Sequence, residues 1–149
     1  MVERRQAASA IIFNEQGLVL FARRATTKFP FPNTWSLPST YIQLHEEGGQ
    51  ALAAAVKRKL AIDITIVDLL DYKCAPQADY DLYMRDYVAR IVHGSPTPNG
   101  EDYSEVRYVN PLELFAGKDR SRMGLCTRLL LANLDRNPRL WERYEQKDI

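Results

Sequence analysis

The chain has 149 residues, of which 46% are apolar, enough to bury the core of one domain without disulfide or metal staples. Twenty Lys and Arg against nineteen Asp and Glu leave a formal net charge of +1, which excludes a whole-molecule field for nucleic acid or an anionic membrane. Any affinity for phosphate has to be local. No apolar run reaches the roughly 18 residues of a spanning helix, and Met1-Val2-Glu3-Arg4-Arg5 lacks the apolar stretch of a secretory leader, so a cytoplasmic protein with no membrane partner is expected.

In chain order, Gln6 to Phe13 is an apolar run, Asn14-Glu15-Gln16-Gly17 has turn chemistry, and Leu18 to Ala22 resumes as a strand; together they predict a β-hairpin. Prolines 30, 32 and 38 exclude a helix from Thr26 to Pro38 and predict an ordered loop entering a short strand at Trp35 to Leu37. A strand at Tyr41 to Leu44 follows. Glu46 to Leu60 has Leu52, Val56 and Leu60 at successive four-residue steps, which predicts an amphipathic helix with Glu46 and Glu47 at its positive end. Ile62 to Lys73 and Tyr80 to Val92 read as strands, residues 94 to 102 as a loop, and Glu105 to Val109 as a short strand stopped by Pro111. Ser121 is placed to cap a final helix over Arg122 to Arg136, with a polar tail after about residue 137 that frays beyond Trp141. Cys74 and Cys126, with no CxxC or neighbouring His, read as buried reduced thiols. The order predicts one α+β domain over residues 1–149, built as a layered αβα sandwich with a mixed central sheet.

The strand ending in Arg23-Arg24, the phrase Phe31-Pro32-Asn33-Thr34-Trp35-Ser36-Leu37-Pro38, the helix after it and Glu105-Val106-Arg107-Tyr108 resemble the Nudix superfamily over about residues 5 to 136. That family carries the box Gly-x5-Glu-x7-Arg-Glu-U-x-Glu-Glu-x-Gly-U, with U aliphatic. Here Ser39 and Thr40 stand at glycine positions, His45 takes the place of the Gly before the first Glu, and Glu46 matches that Glu. Ala54 takes the Arg position, and Ala55, Arg58 and Lys59 take those of the three later glutamates; Ala61 stands for the last Gly, and Val56 and Ile62 keep the aliphatic positions. The resemblance implies that the helix glutamates would hold Mg²⁺ or Mn²⁺, which neutralises a diphosphate and activates water. Three carboxylates would present a formal charge of −3; Ala55, Arg58 and Lys59 present +2. A cation there meets repulsion of about 4 kcal/mol per unit-charge pair at about 4 Å and an effective dielectric near 20. The expectation is therefore a degenerate box with no resident metal, and Glu46 as the only retained box carboxylate.

Arg58 and Lys59 have two readings: solvated helix formers, or cations that bind a phosphorylated ligand directly, Arg through its bidentate fork. Lys57 reads as solvated. By resemblance Arg23 or Arg24 contacts a diphosphate, and Trp35, with Phe29 and Phe31, borders the ligand cleft or packs in the core. Glu105 lies where some members draw a catalytic base, and His45 reads as a surface residue. Three functions compete. The first is a non-hydrolytic binding module for a nucleotide or other phosphorylated small molecule. The second is a divergent diphosphate hydrolase using Mg²⁺ or Mn²⁺ held by Glu46, Glu47, Glu101, Asp102 and Glu105, including an isopentenyl diphosphate isomerase-like variant suggested by Lys28 and Pro32 to Trp35, for which Cys74 lies too late in the chain to be the nucleophile. The third is a protein or RNA interaction module, for which Tyr72, Tyr80, Tyr83, Tyr87, Tyr103 and Tyr108 supply aromatics; nucleic acid is disfavoured by the absence of a basic stripe. The family also makes a homodimer an expected assembly.

Overall fold

A computed structural model of the chain describes residues 3–28, 32–110 and 125–136. Phe29, Phe31, Pro111, Ser121 and Trp141 lie outside them, as do the side chain of Cys126 and the tail. Among the described residues nine elements follow in order: β1 (Glu3–Ile12), β2 (Val19–Arg24), β3 (Trp35–Ser36), β4 (Ser39–Ile42), α1 (Gly48–Leu60), β5 (Asp63–Pro76), β6 (Tyr80–His93), β7 (Tyr103–Val109) and α2 (Leu125–Arg136).

The strands form two sheets. One is mixed, in the order β4-β1-β6-β5, with β1 parallel to β6 and its other pairings antiparallel; the other is antiparallel, in the order β3-β2-β7. From Ala7 to Phe13 every residue is buried, because a helix covers each face and the strand cannot alternate with water. Ala8, Ala10 and Ile12 of β1 pack with Leu20 and Ala22 of β2 against Leu52, Val56 and Leu60 of α1. Ile11, Phe13, Val19, Phe21 and Val88 face the other way, toward Leu130 and Leu131 of α2. The architecture is the expected α+β sandwich with a mixed sheet. Among the described residues, no helix is long and apolar enough to cross a membrane.

The expected hairpin of β1 and β2 is corrected. Its turn forms, with Asn14 Oδ1 accepting from the N–H of Gln16 at 3.0 Å and of Leu18 at 2.9 Å. The strands meet only at a bridge between Phe13 and Val19 and then diverge, one into each sheet. Beyond that bridge β1 takes β4 and β6 as its hydrogen-bonding partners and β2 takes β3 and β7, so longer-range pairing replaces the local one.

Helix α1 begins two residues later than expected. Glu47, in extended conformation, is its N-cap and accepts from the N–H groups of Gly49 and Gln50 at 2.9 and 2.8 Å. Those two bonds hold the Glu47 carboxyl below the usual carboxylate range. Glu46 lies outside the helix and accepts from the Gln43 N–H at 2.7 Å, which corrects its placement at the helix start. The far end is closed by Ala61 in the left-handed region, φ 58°, whose N–H reaches Lys57 O. Two further bonds to that end come from the loop before β7: Thr97 N–H to Leu60 O at 2.8 Å and Asn99 N–H to Lys59 O at 3.0 Å. Gly94 makes this approach possible: its φ is +92°, and a Cβ there would lie 2.8 Å from Ala61 O.

Cys74 is exposed on β5, opposite Tyr83, and not buried as expected. The long pair β5–β6 extends beyond the cover of α1, so alternate residues there meet solvent.

Candidate functional site

The last turn of α1 carries Lys57, Arg58 and Lys59, where cations also suit the negative end of the helix dipole. The three separate. Lys57 is exposed and pairs with Asp63 at 2.8 Å, while Arg58 is exposed. Lys59 is half-buried, and its Nζ donates to the carbonyl of Ser39 at 2.9 Å and lies 5.8 Å from the centre of the Tyr103 ring. Ala55 is only 2% exposed, so the helix stripe that begins at position 55 dips into the core before emerging at Arg58 and Lys59.

Around Lys59 the fold gathers residues distant in sequence. Tyr103 is fully buried and accepts a hydrogen bond from the Ser39 N–H at 3.1 Å, so Ser39 is held by its N–H to Tyr103 and by its carbonyl to Lys59. Lys28 Nζ pairs with Asp102 Oδ1 at 2.9 Å. Asn99 Nδ2 donates to Asp102 Oδ2 at 2.8 Å, and Asn99 Oδ1 accepts from the Asp102 N–H at 2.8 Å. Burial, and then the positive charges of Arg58, Lys28 and Arg24, lower the Lys59 ammonium from the ordinary lysine value, with Asp102 acting the other way. Burial opposes ionisation of Asp102, yet Asn99, Lys28 and Lys59 hold its carboxyl below the usual range. The product is a small cationic surface, made of Arg24, Lys28, Arg58 and Lys59 and containing one charged carboxylate.

Arg23 and Arg24, adjacent in sequence, serve opposite faces. Arg24 pairs in register with Tyr103 on the α1 side, whereas Arg23 lies between Trp35 and Glu105 on the α2 side. Arg23 Nη1 meets Glu105 Oε1 at 3.0 Å. The Arg107 guanidinium covers the Trp35 ring at 4.2 Å, and that ring packs against the Ile11, Phe21 and Leu130 cluster. Of the residues singled out from the sequence, Arg24, Arg58 and Lys59 therefore come together, and Arg23, Trp35 and Glu105 form a second group across the sheet.

A register irregularity divides them. Between Arg23 and Arg24 the pairing on β7 jumps from Glu105 to Tyr103, leaving Ser104 as an extra residue. Tyr103 would otherwise share the face of Glu105; the bulge turns it into the α1 core. Lys28, Ser39, Asn99, Asp102 and Tyr103 were not foreseen as one cluster. No local pattern marks them, because four separate elements and loops supply them.

The carboxylates considered as an alternative metal set are engaged separately: Glu46 with Gln43, Glu47 on the helix cap, Asp102 with Lys28 and Asn99, and Glu105 with Arg23. Glu101 is exposed. Among the described residues no three His, Cys, Asp or Glu side chains converge as a metal site. The donor set around Lys59, an ammonium among guanidinium groups, does not fit a divalent cation.

A second buried polar group lies on the α2 side. Asp86 of β6 is wholly buried and holds Lys73 Nζ at 2.5 Å, while the same ammonium reaches Asp71 at 2.9 Å. Burial pushes the Asp86 carboxyl up to about 6, against the pull of Lys73. Ser9, the register partner of Asp86 on β1, is a second buried polar residue beside it.

The NUDIX domain model matches residues 3–130, and the chain belongs to that family. No curated protein matches the sequence significantly. Among solved structures, the MutT protein of Methanosarcina mazei Go1 is 18% identical, with a TM-score of 0.76 over 92% of this chain and 96% of that one. The E. coli ORF135 protein is 15% identical, with a TM-score of 0.73 over 99% and 96% of the two chains. An ADP-ribose pyrophosphatase from Streptococcus suis is 13% identical, with a TM-score of 0.65 over 97% and 94%. At these identities the likeness concerns the fold.

Proposed function

We propose that this Nudix-fold protein binds a phosphorylated small molecule of the nucleotide class at the cationic surface around Lys59, and that it has lost metal-dependent diphosphate hydrolysis. The observation that carries the reading is the Lys59 ammonium, which stands at a box glutamate position, is tied to Ser39 O at 2.9 Å and is flanked by Arg24, Lys28 and Arg58. An ammonium fixed by a carbonyl supplies positive charge to a phosphate without a metal, and guanidinium groups add paired donors. The same arrangement repels Mg²⁺ and offers it no set of carboxylates.

Family membership and a structural neighbour named as an ADP-ribose pyrophosphatase support a diphosphate-containing ligand. The test is a thermal-shift panel of inorganic pyrophosphate, ADP-ribose and nucleoside diphosphates in EDTA, paired with a turnover assay in Mg²⁺ or Mn²⁺. A stabilisation in EDTA that Lys59→Met and Arg58→Glu each abolish is expected, with no turnover. Metal-dependent release of phosphate or nucleoside monophosphate would favour the divergent hydrolase instead, and no shift with any compound would end the binding proposal.

A further inference from the structure

We propose that Asp102 is a built-in competitor for the anion this surface takes, holding Lys28 and offsetting the charge of Lys59 until a phosphate displaces it. The inference rests on the reading of the Lys59 surface as a ligand site. Asp102 is acted on by Lys28 and Lys59, and among the groups acting on Lys59 it is the carboxylate that favours the ammonium, against Arg24, Lys28 and Arg58. The loop delivers it there by design of the backbone: Asn99 Oδ1 gathers the N–H groups of Glu101 and Asp102 at 3.0 and 2.8 Å, and Asn99 Nδ2 fixes Asp102 Oδ2 at 2.8 Å. The other oxygen, Oδ1, pairs with Lys28 at 2.9 Å, and the side chain is 18% exposed. Its carboxyl stays ionised well into acid, because Asn99, Lys28 and Lys59 outweigh its burial.

A phosphate drawn to Lys28 arrives beside the Asp102 carboxylate already paired there, and the two negative charges repel across a half-buried site, so the internal pair opposes the incoming anion. A phosphate brings more charge and more acceptor oxygens, and can reach Lys59 and the guanidinium groups as well, which lets it displace the internal group. Asp102 does not touch the ligand in the bound state. It sets affinity by stabilising the empty site, as any interaction present only in the free protein must.

The experiment is calorimetric titration of inorganic pyrophosphate into the full chain in EDTA at low ionic strength. Asp102→Asn keeps the Asn99 contacts and removes the charge; it is expected to bind about fivefold tighter, the factor for one exposed-to-half-buried ion pair. Asp102→Ser, which also abolishes the competitor, is expected to do the same if the first variant unfolds early. The gain should shrink as salt screens the pair. Tight or measurable binding by the wild type with no gain, or a loss, in both variants would overturn this inference and leave the ligand site standing. Absence of binding in wild type and both variants would overturn the two together.

Discussion

Lys59 and Ser39 are joined by an ammonium-to-carbonyl hydrogen bond of 2.9 Å, which ties the last turn of α1 to the first residue of β4. The resemblance puts glycine and glutamate at these two positions; here a backbone oxygen faces a tethered cation. The same ammonium lies 5.8 Å from the centre of the buried Tyr103 ring, so two neighbours distant in sequence fix its position.

Because burial and three nearby cations lower the Lys59 ammonium, the charged form is lost at a pH below the ordinary lysine range. Pyrophosphate affinity measured from about pH 7 to about pH 10 should therefore weaken before free lysine would titrate. Lys59→Arg, which stays charged throughout, should extend binding to the alkaline end, and a profile identical to the wild type would remove Lys59 from the ligand's contacts. The sign for folding is the reverse of an ordinary lysine pair. The folded state disfavours this charge, so stability recovers as pH rises through the lowered value.

Asp86 predicts a second pH effect, on stability alone. Its folded value of about 6 lies above the ordinary 3.8, so the folded protein holds this proton more tightly than the unfolded chain. The stabilisation is present below about 4 and lost as pH rises through about 6, on the order of 3 kcal/mol for a shift of this kind. Lys73 remains charged through this window: burial works against it, but Asp86 and Asp71 more than offset that and raise its ammonium. Thermal melts of wild type and Asp86→Asn between about pH 4 and about pH 7 should show the wild type gaining relative to the variant on acidification. Parallel curves would contradict the assignment.

Ala61 closes α1 in the left-handed region, φ 58° and ψ 34°, which costs an L-residue roughly 1 kcal/mol over glycine. Ala61→Gly should raise the unfolding free energy by about that amount, less any entropy gained by the unfolded chain. Urea denaturation with an unchanged slope and a higher midpoint is the expected record.

At the other end, Glu47→Ala removes both bonds to the first N–H groups and should cost at most about 1 kcal/mol, since the cap is exposed. Glu46→Ala should cost less, because Glu46 holds only the Gln43 N–H. Equal losses would mean that the helix begins where periodicity alone suggested.

The sequence shows α1 well because Leu52, Val56 and Leu60 repeat at the helical step, and their burial follows directly. The strands β5 and β6 were visible for their branched and aromatic content. The divergence of β1 and β2 was not, because turn chemistry at Asn14 is the same whether the strands then pair or part. Glu46 and Glu47 differ by one position, too fine a distinction for charge and dipole to resolve. Within the candidate site, Lys59 and Arg58 were legible as substitutions in a known pattern. Asp102 was legible only as an acid in a loop and a candidate in an alternative carboxylate set, since its pairing depends on Lys28, more than seventy residues earlier in the chain.

The extra residue at Ser104 gives β2 and β7 a property that no side chain carries. It shifts the strand's alternation by one: Tyr103 packs on the α1 side together with Val106 and Tyr108, while Glu105 and Arg107 between them meet Arg23 and Trp35 on the opposite side. Tyr103 meets Ser39 and Asp102 meets Lys28 only because the chain has that surplus unit. Length at this point is therefore as informative as identity, and a homologue with one residue fewer between the Asp102 and Glu105 positions should present a different surface to solvent, even if every charged residue discussed above were kept.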